Sequence, residues 1–206
     1  DGTPTIMYAF SPPSGSSSPI VARMYNYNDD LIENYLNKLN PSSDVSFSLI
    51  LLHQKSRGSV TLKSSDPIDF PNVDLNMFEE EEDVDDFVKG IDFVLDLVQT
   101  EPFQRINATF VDIPVCGEFE KFSREFWGCA VRHMSMTLYH PCGTTAMGLS
   151  EENSVVDSSL KVHGIASLRV VDAGIFPSTI SGPTNAAVIM VAEKIADVIK
   201  NEYGFK

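Results

Sequence analysis

None of the twelve glycines in this 206-residue chain falls into a G-x-G-x-x-G pattern, so the sequence holds no dinucleotide fingerprint. A P-loop, a G-x-S-x-G nucleophile elbow and a C-x-x-C pair are missing as well. No stretch approaches the run of about 18 apolar residues that a membrane-spanning helix needs. Basic side chains are scarce, 15 Lys and Arg against 29 Asp and Glu, for a net charge of −14. Such a surface repels phosphate backbones, which argues against a nucleic-acid partner. The three cysteines, Cys116, Cys129 and Cys142, are an odd number without metal-ligand spacing, and their pairing stays open. Asp1-Gly-Thr-Pro-Thr lacks the basic region and apolar run of a signal peptide, and reads like a chain entered midway through a larger protein.

What is present suffices for a core, since 43% of the residues are hydrophobic. The densest acid, Glu79 to Glu82 with Asp83, Asp85 and Asp86, has no glycine before Gly90, whereas a calcium loop requires a central one. These acids read as the solvated start of a helix, where the helix dipole favours them. Asn107-Ala-Thr109 is the single glycosylation sequon, because proline blocks Asn40-Pro41-Ser42. It points towards an extracellular location.

The first twenty residues, rich in Ser, Pro and Gly, read as irregular. Asp29 to Leu39 is a short helix ended by Asn40-Pro41. Val45 to Leu52 and Gly58 to Lys63 read as two strands, joined as a hairpin through the polar Gln54-Lys-Ser-Arg57 link. Asp66-Pro67 and Phe70-Pro71-Asn72 are turn chemistry. From Glu82 to Thr100, residues Val84, Phe87, Val88, Ile91, Val94, Leu95 and Val98 form one helical stripe. Glu118 to His133 reads as a helix carrying the only tryptophan, Trp127. Ser135 to Tyr139 reads as extended and Leu168 to Val171 as a short strand. Ala186 to Lys200 reads as a final helix with Val188, Val191, Ile195 and Val198 inward. Helices and strands are interspersed, so the expected class is α+β, an antiparallel sheet flanked by helices.

The chemically informative stretch is Tyr139-His-Pro-Cys-Gly-Thr-Thr-Ala-Met-Gly148. Pro141 restricts the backbone of His140, and Gly143 has access to angles closed to other residues. A histidine held at a strand end by such a loop can point into a cleft, and imidazole suits removal of an alcohol proton near neutral pH. His53, His133 and His163 share no ligand spacing and read as structural histidines.

Two further stretches follow, Val155 to Pro177 with Val170-Val-Asp-Ala-Gly174 inside it, and Ser181-Gly-Pro-Thr-Asn185 leading to Asp197. In this order the three segments resemble the C-terminal signature of the glucose–methanol–choline (GMC) oxidoreductases, and the upstream Ser56-Arg-Gly-Ser-Val-Thr-Leu-Lys-Ser-Ser-Asp-Pro67 and Pro71-Asn-Val-Asp74 resemble the strand pair with which that family's substrate domain begins. The wording around Leu51 to Pro67 is most similar to the insect glucose-dehydrogenase branch. The resemblance covers roughly residues 45 to 202.

That resemblance implies a division into an irregular opening segment with a short helix (1–44), a substrate-binding domain (45–153), and a C-terminal segment that returns to complete an FAD-binding domain (154–206). It implies FAD as cofactor and an alcohol or sugar CH–OH as substrate. His140 would accept the hydroxyl proton, hydride would pass to the flavin, and oxygen or a quinone would be the final acceptor. Asp172 and Ala173 would lie beside the flavin. Thr184 and Asn185 would present a helix N-terminus to its pyrimidine edge, with Asn185 also serving catalysis. The family places a second His or Asn just before this helix, where this chain has Pro183. A second reading is therefore a catalytically impaired binding or scaffold protein of the same fold.

Overall fold

A computed structural model describes residues 2–11, 19–40 and 42–204. The chain divides into two compact units, Asp1–Leu51 with Phe78–Met136, and Leu52–Met77 with Thr137–Lys206. This division is by packing, and the polypeptide passes between the units more than once.

In the first unit, β1 (Ile6–Ser11) pairs antiparallel with β2 (Ser46–Leu51), in a register that sets Ile6 opposite Leu51 and Ser11 opposite Ser46. The opening residues are thus not uniformly irregular. Ile6, Tyr8 and Phe10 alternate along a strand, and the Tyr8 hydroxyl reaches the Gly90 carbonyl at 3.2 Å. The Ser- and Pro-rich stretch 12–18 lies outside the described residues. Between the two strands run α1 (Pro19–Met24) and α2 (Asp29–Asn34), the latter capped by the Asn28 side chain accepting from the Leu31 N–H, followed by a 3-10 turn over Leu36–Lys38.

The long helix α3 (Glu81–Val98) carries the expected stripe. Val84 is buried, and Val88, Ile91 and Leu95 pack on a core of Ile113, Cys116, Phe126, Trp127 and Ala130. The last three belong to α5 (Arg124–Met134), which starts later than the sequence suggests because Ser123 caps it by accepting from the Phe126 N–H at 3.1 Å. A short α4 (Glu101–Arg105) follows α3. The acidic start of α3 does open a helix, but it is also paired: Arg124 contacts Glu81 and Asp85, and Arg132 contacts Glu81. Cys116 and Cys129 form a disulfide inside this core.

In the second unit, β3 (Ser59–Thr61) pairs antiparallel with β4 (Asn72–Asp74). The expected hairpin between 45–52 and 58–63 does not form, because each strand has another partner. Gly58 accounts for part of this: a Cβ there would lie 2.2 Å from the Asp74 carbonyl oxygen, so only glycine lets the two backbones approach. The helix α6 (Thr184–Tyr203) buries Ile195, and its Val191, Val198 and Ile199 pack with Val156, Leu160 and Ile175. The expected strand Leu168–Val171 is reduced to one bridge, Arg169 with Lys161. Mixed helix and strand hold, but the described residues contain two separate two-stranded sheets rather than one broad sheet.

Candidate functional site

All the residues singled out for chemistry lie in the second unit. His140 does not end a strand. Leu138 and Tyr139 both take positive φ, 51° and 59°, and the His140 N–H donates to the Thr137 carbonyl at 3.1 Å. This is a tight turn of the kind in which both central residues are left-handed. Leucine and tyrosine adopt such angles at a cost of roughly 1–2 kcal/mol each, so the surrounding structure must hold them. The turn delivers a partly exposed His140 at its exit.

What holds the following loop is a ladder of backbone hydrogen bonds. Gly143 donates to the Ala173 carbonyl at 3.3 Å, Thr145 to Gly174 at 3.0 Å and Met147 to Ile175 at 2.8 Å. Gly143 has φ +90°, the freedom expected of it. The ladder brings the His140 loop against the Asp172-Ala173 segment, two stretches about thirty residues apart in sequence. Asp172 caps a 3-10 turn over Ala173–Ile175, its carboxylate accepting from the Gly174 N–H at 2.7 Å. Gly174, where the family tends to carry Ser, is crowded by neighbouring side chains. A Cβ there would sit 2.5 Å from Thr145 Oγ1 and 2.8 Å from Asp172 Oδ1. Thr145 Oγ1 is buried without a hydrogen-bond partner.

Thr184 and Asn185 open α6. Its N-cap is Pro183, which makes no side-chain cap hydrogen bond, so the first-turn N–H groups of a 20-residue helix have no capping side chain. Those donors carry the positive end of the helix dipole. Thr184 and Asn185 sit inside the helix and do not cap it. Among the described residues no hydrogen bond joins His140 to either of them.

A third segment, not indicated by any motif, joins the stretch before α6. Thr179 Oγ1 donates to the Leu52 carbonyl at 3.1 Å and lies 3.0 Å from Gln54 Oε1, while Ser181 Oγ and His53 Nε2 are 2.9 Å apart. Residues 52–54 are thereby bound to the stretch that leads into α6. Arg57 folds the same loop by donating to the carbonyls of Gln54, Lys55 and Ser56, and its charge reaches Cys142. Burial pushes the Cys142 thiol above its ordinary value, and the Arg57 charge pulls it partly back. The available signal was the Ser56-Arg57-Gly58 stretch, whose family resemblance implies a strand pair and no role for Arg57. His163 is engaged by Ser154 Oγ at 3.1 Å, as a structural histidine should be. Among the described residues no His, Cys, Asp and Glu cluster could hold a metal ion. No described helix is long and apolar enough to cross a membrane.

Comparison with known proteins agrees with this architecture. Residues 54–192 match the family model described as GMC oxidoreductase. The chain is 37% identical over 158 residues to ecdysone oxidase of Spodoptera littoralis, covering 76% of this chain and 25% of that protein. It is 37% identical over 170 residues to the glucose dehydrogenase (FAD, quinone) of Drosophila melanogaster, covering 81% and 27%. Among solved structures, a fungal aryl-alcohol oxidase superposes with a TM-score of 0.67 at 34% identity, over 81% of this chain and 26% of that one. Formate oxidase of Aspergillus oryzae, a protein whose FAD is modified, superposes with a TM-score of 0.66 at 34% identity, over 78% and 27%. The chain thus spans about a quarter of the length of the relatives it matches. Its ordered motifs, a family match running from the Arg57 loop into α6 and 37% identity to relatives over three quarters of the chain or more make it a member of the GMC oxidoreductase family.

Proposed function

We propose that this chain supplies the substrate-side part of an FAD-dependent oxidoreductase acting on the CH–OH group of an alcohol or sugar, with oxygen or a quinone as final acceptor. The observation that carries the reading is the ladder from Gly143, Thr145 and Met147 to Ala173, Gly174 and Ile175, which fixes the His140 loop to the Asp172 segment. Residues 45–153 would contribute the substrate side, and 154–206 would complete the flavin-binding side.

The residues present fit the cofactor on one physical ground. Pro183 leaves the first turn of α6 without a side-chain cap, so Thr184 and Asn185 lie where backbone donors are free for an electron-rich acceptor. Bound FAD would supply the two-electron acceptor for the hydride leaving the carbinol carbon. His140 takes the hydroxyl proton onto a ring nitrogen. The Leu138-Tyr139 turn and the ladder restrict where that ring can go, which is the protein's positioning contribution. Asp172 holds the 3-10 turn through Gly174, and Ala173 anchors Gly143, so both keep the two segments in register. Asn185, on the first turn of α6, offers a side-chain amide towards the substrate oxygen.

The test is stopped-flow flavin reduction by alcohols in the full-length protein. His140→Ala should slow reduction about 100-fold or more, with flavin content unchanged. A variant that binds FAD and is reduced at the wild-type rate excludes His140 as the proton acceptor. Pro183 favours one competing reading, a catalytically impaired binder, since it offers no side-chain donor or acceptor where the family resemblance implies a second His or Asn. Pro183→Asn separates the two: a gain in rate marks a slow enzyme, and inertness of both forms to every alcohol and sugar tried marks a binder.

A further inference from the structure

The geometry points to Asn107 as an N-linked glycosylation site, a property independent of the redox reading. Asn107-Ala108-Thr109 follows α4, and the chain leaves that helix through two backbone bonds, Asn107 N–H to the Gln104 carbonyl and Ala108 N–H to the Phe103 carbonyl, each 3.1 Å. Asn107 itself takes φ +51°, a left-handed conformation that asparagine tolerates better than most residues. The turn rotates the sequon outward. Asn107 and Thr109 are both exposed, and neither side chain makes a hydrogen bond to any other described residue. Immediately afterwards, Phe110 packs against the Phe126–Trp127 core, so the triplet, with Asn107 and Thr109 exposed and Ala108 half-buried, is held at both ends.

A sequon alone is common, and the second observation lies in the same unit. Cys116 and Cys129 are joined in a disulfide whose first partner is fully buried in the core. Disulfides form and persist in oxidising compartments, of which the secretory lumen is the eukaryotic example. That lumen also holds the co-reactant for the modification, a lipid-diphosphate-linked oligosaccharide. In the transfer, a bond forms between Asn107 Nδ2 and the anomeric carbon of the first sugar, and the anomeric carbon–phosphate oxygen bond breaks. The lipid diphosphate departs as the leaving group, and the amide loses one proton to solvent. No oxidation or reduction is involved. The attached sugar would also cover Ile106, an apolar side chain left 71% exposed beside the acceptor.

The experiment uses the full-length protein secreted from eukaryotic cells, mapped by peptide mass spectrometry with and without peptide N-glycosidase. Glycan at position 107 in most molecules, converted to Asp by the glycosidase, is the expected result. Asn107→Gln and Thr109→Ala should each abolish the mobility shift, whereas Thr109→Ser should keep it. Thr109→Ala leaves the Asn107 turn untouched, so loss of the sugar there reports acceptor chemistry rather than misfolding. Wild-type protein that carries the Cys116–Cys129 bridge and an unmodified Asn107 overturns the proposal. So does protein recovered with neither bridge nor glycan.

Discussion

In the first unit, regular helices present apolar stripes to one another. Phe126 and Trp127 of α5 meet Val88, Ile91 and Leu95 of α3, and a disulfide crosses the same core. In the second unit, one long helix packs on irregular chain, and the loops are fixed by backbone hydrogen bonds between segments far apart in sequence. Its β3–β4 ribbon is exposed throughout, and Leu62 and Phe70 in the connection are 86% and 88% exposed. The difference separates two ways of building rigidity. Side-chain burial secures a scaffold, while backbone bonding fixes loops and leaves side chains such as His140 partly exposed.

The comparison can be broken at several points. Phe126 is 2% exposed and ringed by Phe110, Phe122 and Trp127, so Phe126→Ala should cost about 3–5 kcal/mol. The fluorescence of Trp127, the only tryptophan, reports this unit during denaturant unfolding. An unchanged midpoint would show that this core is not what holds the unit. Replacing both Cys116 and Cys129 by serine removes a link across 13 residues and should cost about 3 kcal/mol on the chain-entropy view. Wild type under reductant should shift to match the double variant.

In the second unit the sensitive position is a glycine. Gly174→Ala forces a Cβ against Thr145 Oγ1 and should destabilise the ladder by about 1–3 kcal/mol. Faster hydrogen exchange at the Thr145 and Met147 amides is the readout, and unchanged exchange would mean that the crowding relaxes elsewhere. Ser123→Ala, which removes the cap of α5, should cost about 1 kcal/mol by the same Trp127 signal.

The smallest effect expected is on pH. Asp157 accepts from the backbone N–H groups of Lys161 and Ser159, and these hold its carboxyl below the usual range. Its contribution is therefore complete above the unfolded value of about 4 and is lost as pH falls through the lower folded value. Asp157→Asn should remove that part of the acid sensitivity. Thermal melts of both forms from neutral pH down to about pH 3 check it.

Helices α3, α5 and α6 were legible because a 3.6-residue apolar period needs no knowledge of the partner surface. Strand pairing was legible only in part. The 58–63 run pairs with Asn72–Asp74, the strand pair that the family resemblance implies, whereas the 45–52 run pairs with a strand inside the opening residues that nothing in the sequence indicates. Adjacency along the chain suggested a hairpin, but backbone hydrogen bonding carries no sequence label for its partner. The Ser135–Tyr139 stretch looked extended from its residue types, and the turn at Leu138-Tyr139 overrides that preference.

By itself the sequence determined the family, the His140-Pro-Cys-Gly motif, the final helix and the sequon at Asn107. Each is written in the identity and order of nearby residues, and local chemistry is enough to read it. Tertiary structure alone decided that Cys116 pairs with Cys129, that Gly143, Thr145 and Met147 hang from the Asp172 segment, and that residues 52–54 bond to Thr179 and Ser181. Those are meetings between distant residues, governed by which backbone groups and thiols the folded chain brings within bonding distance.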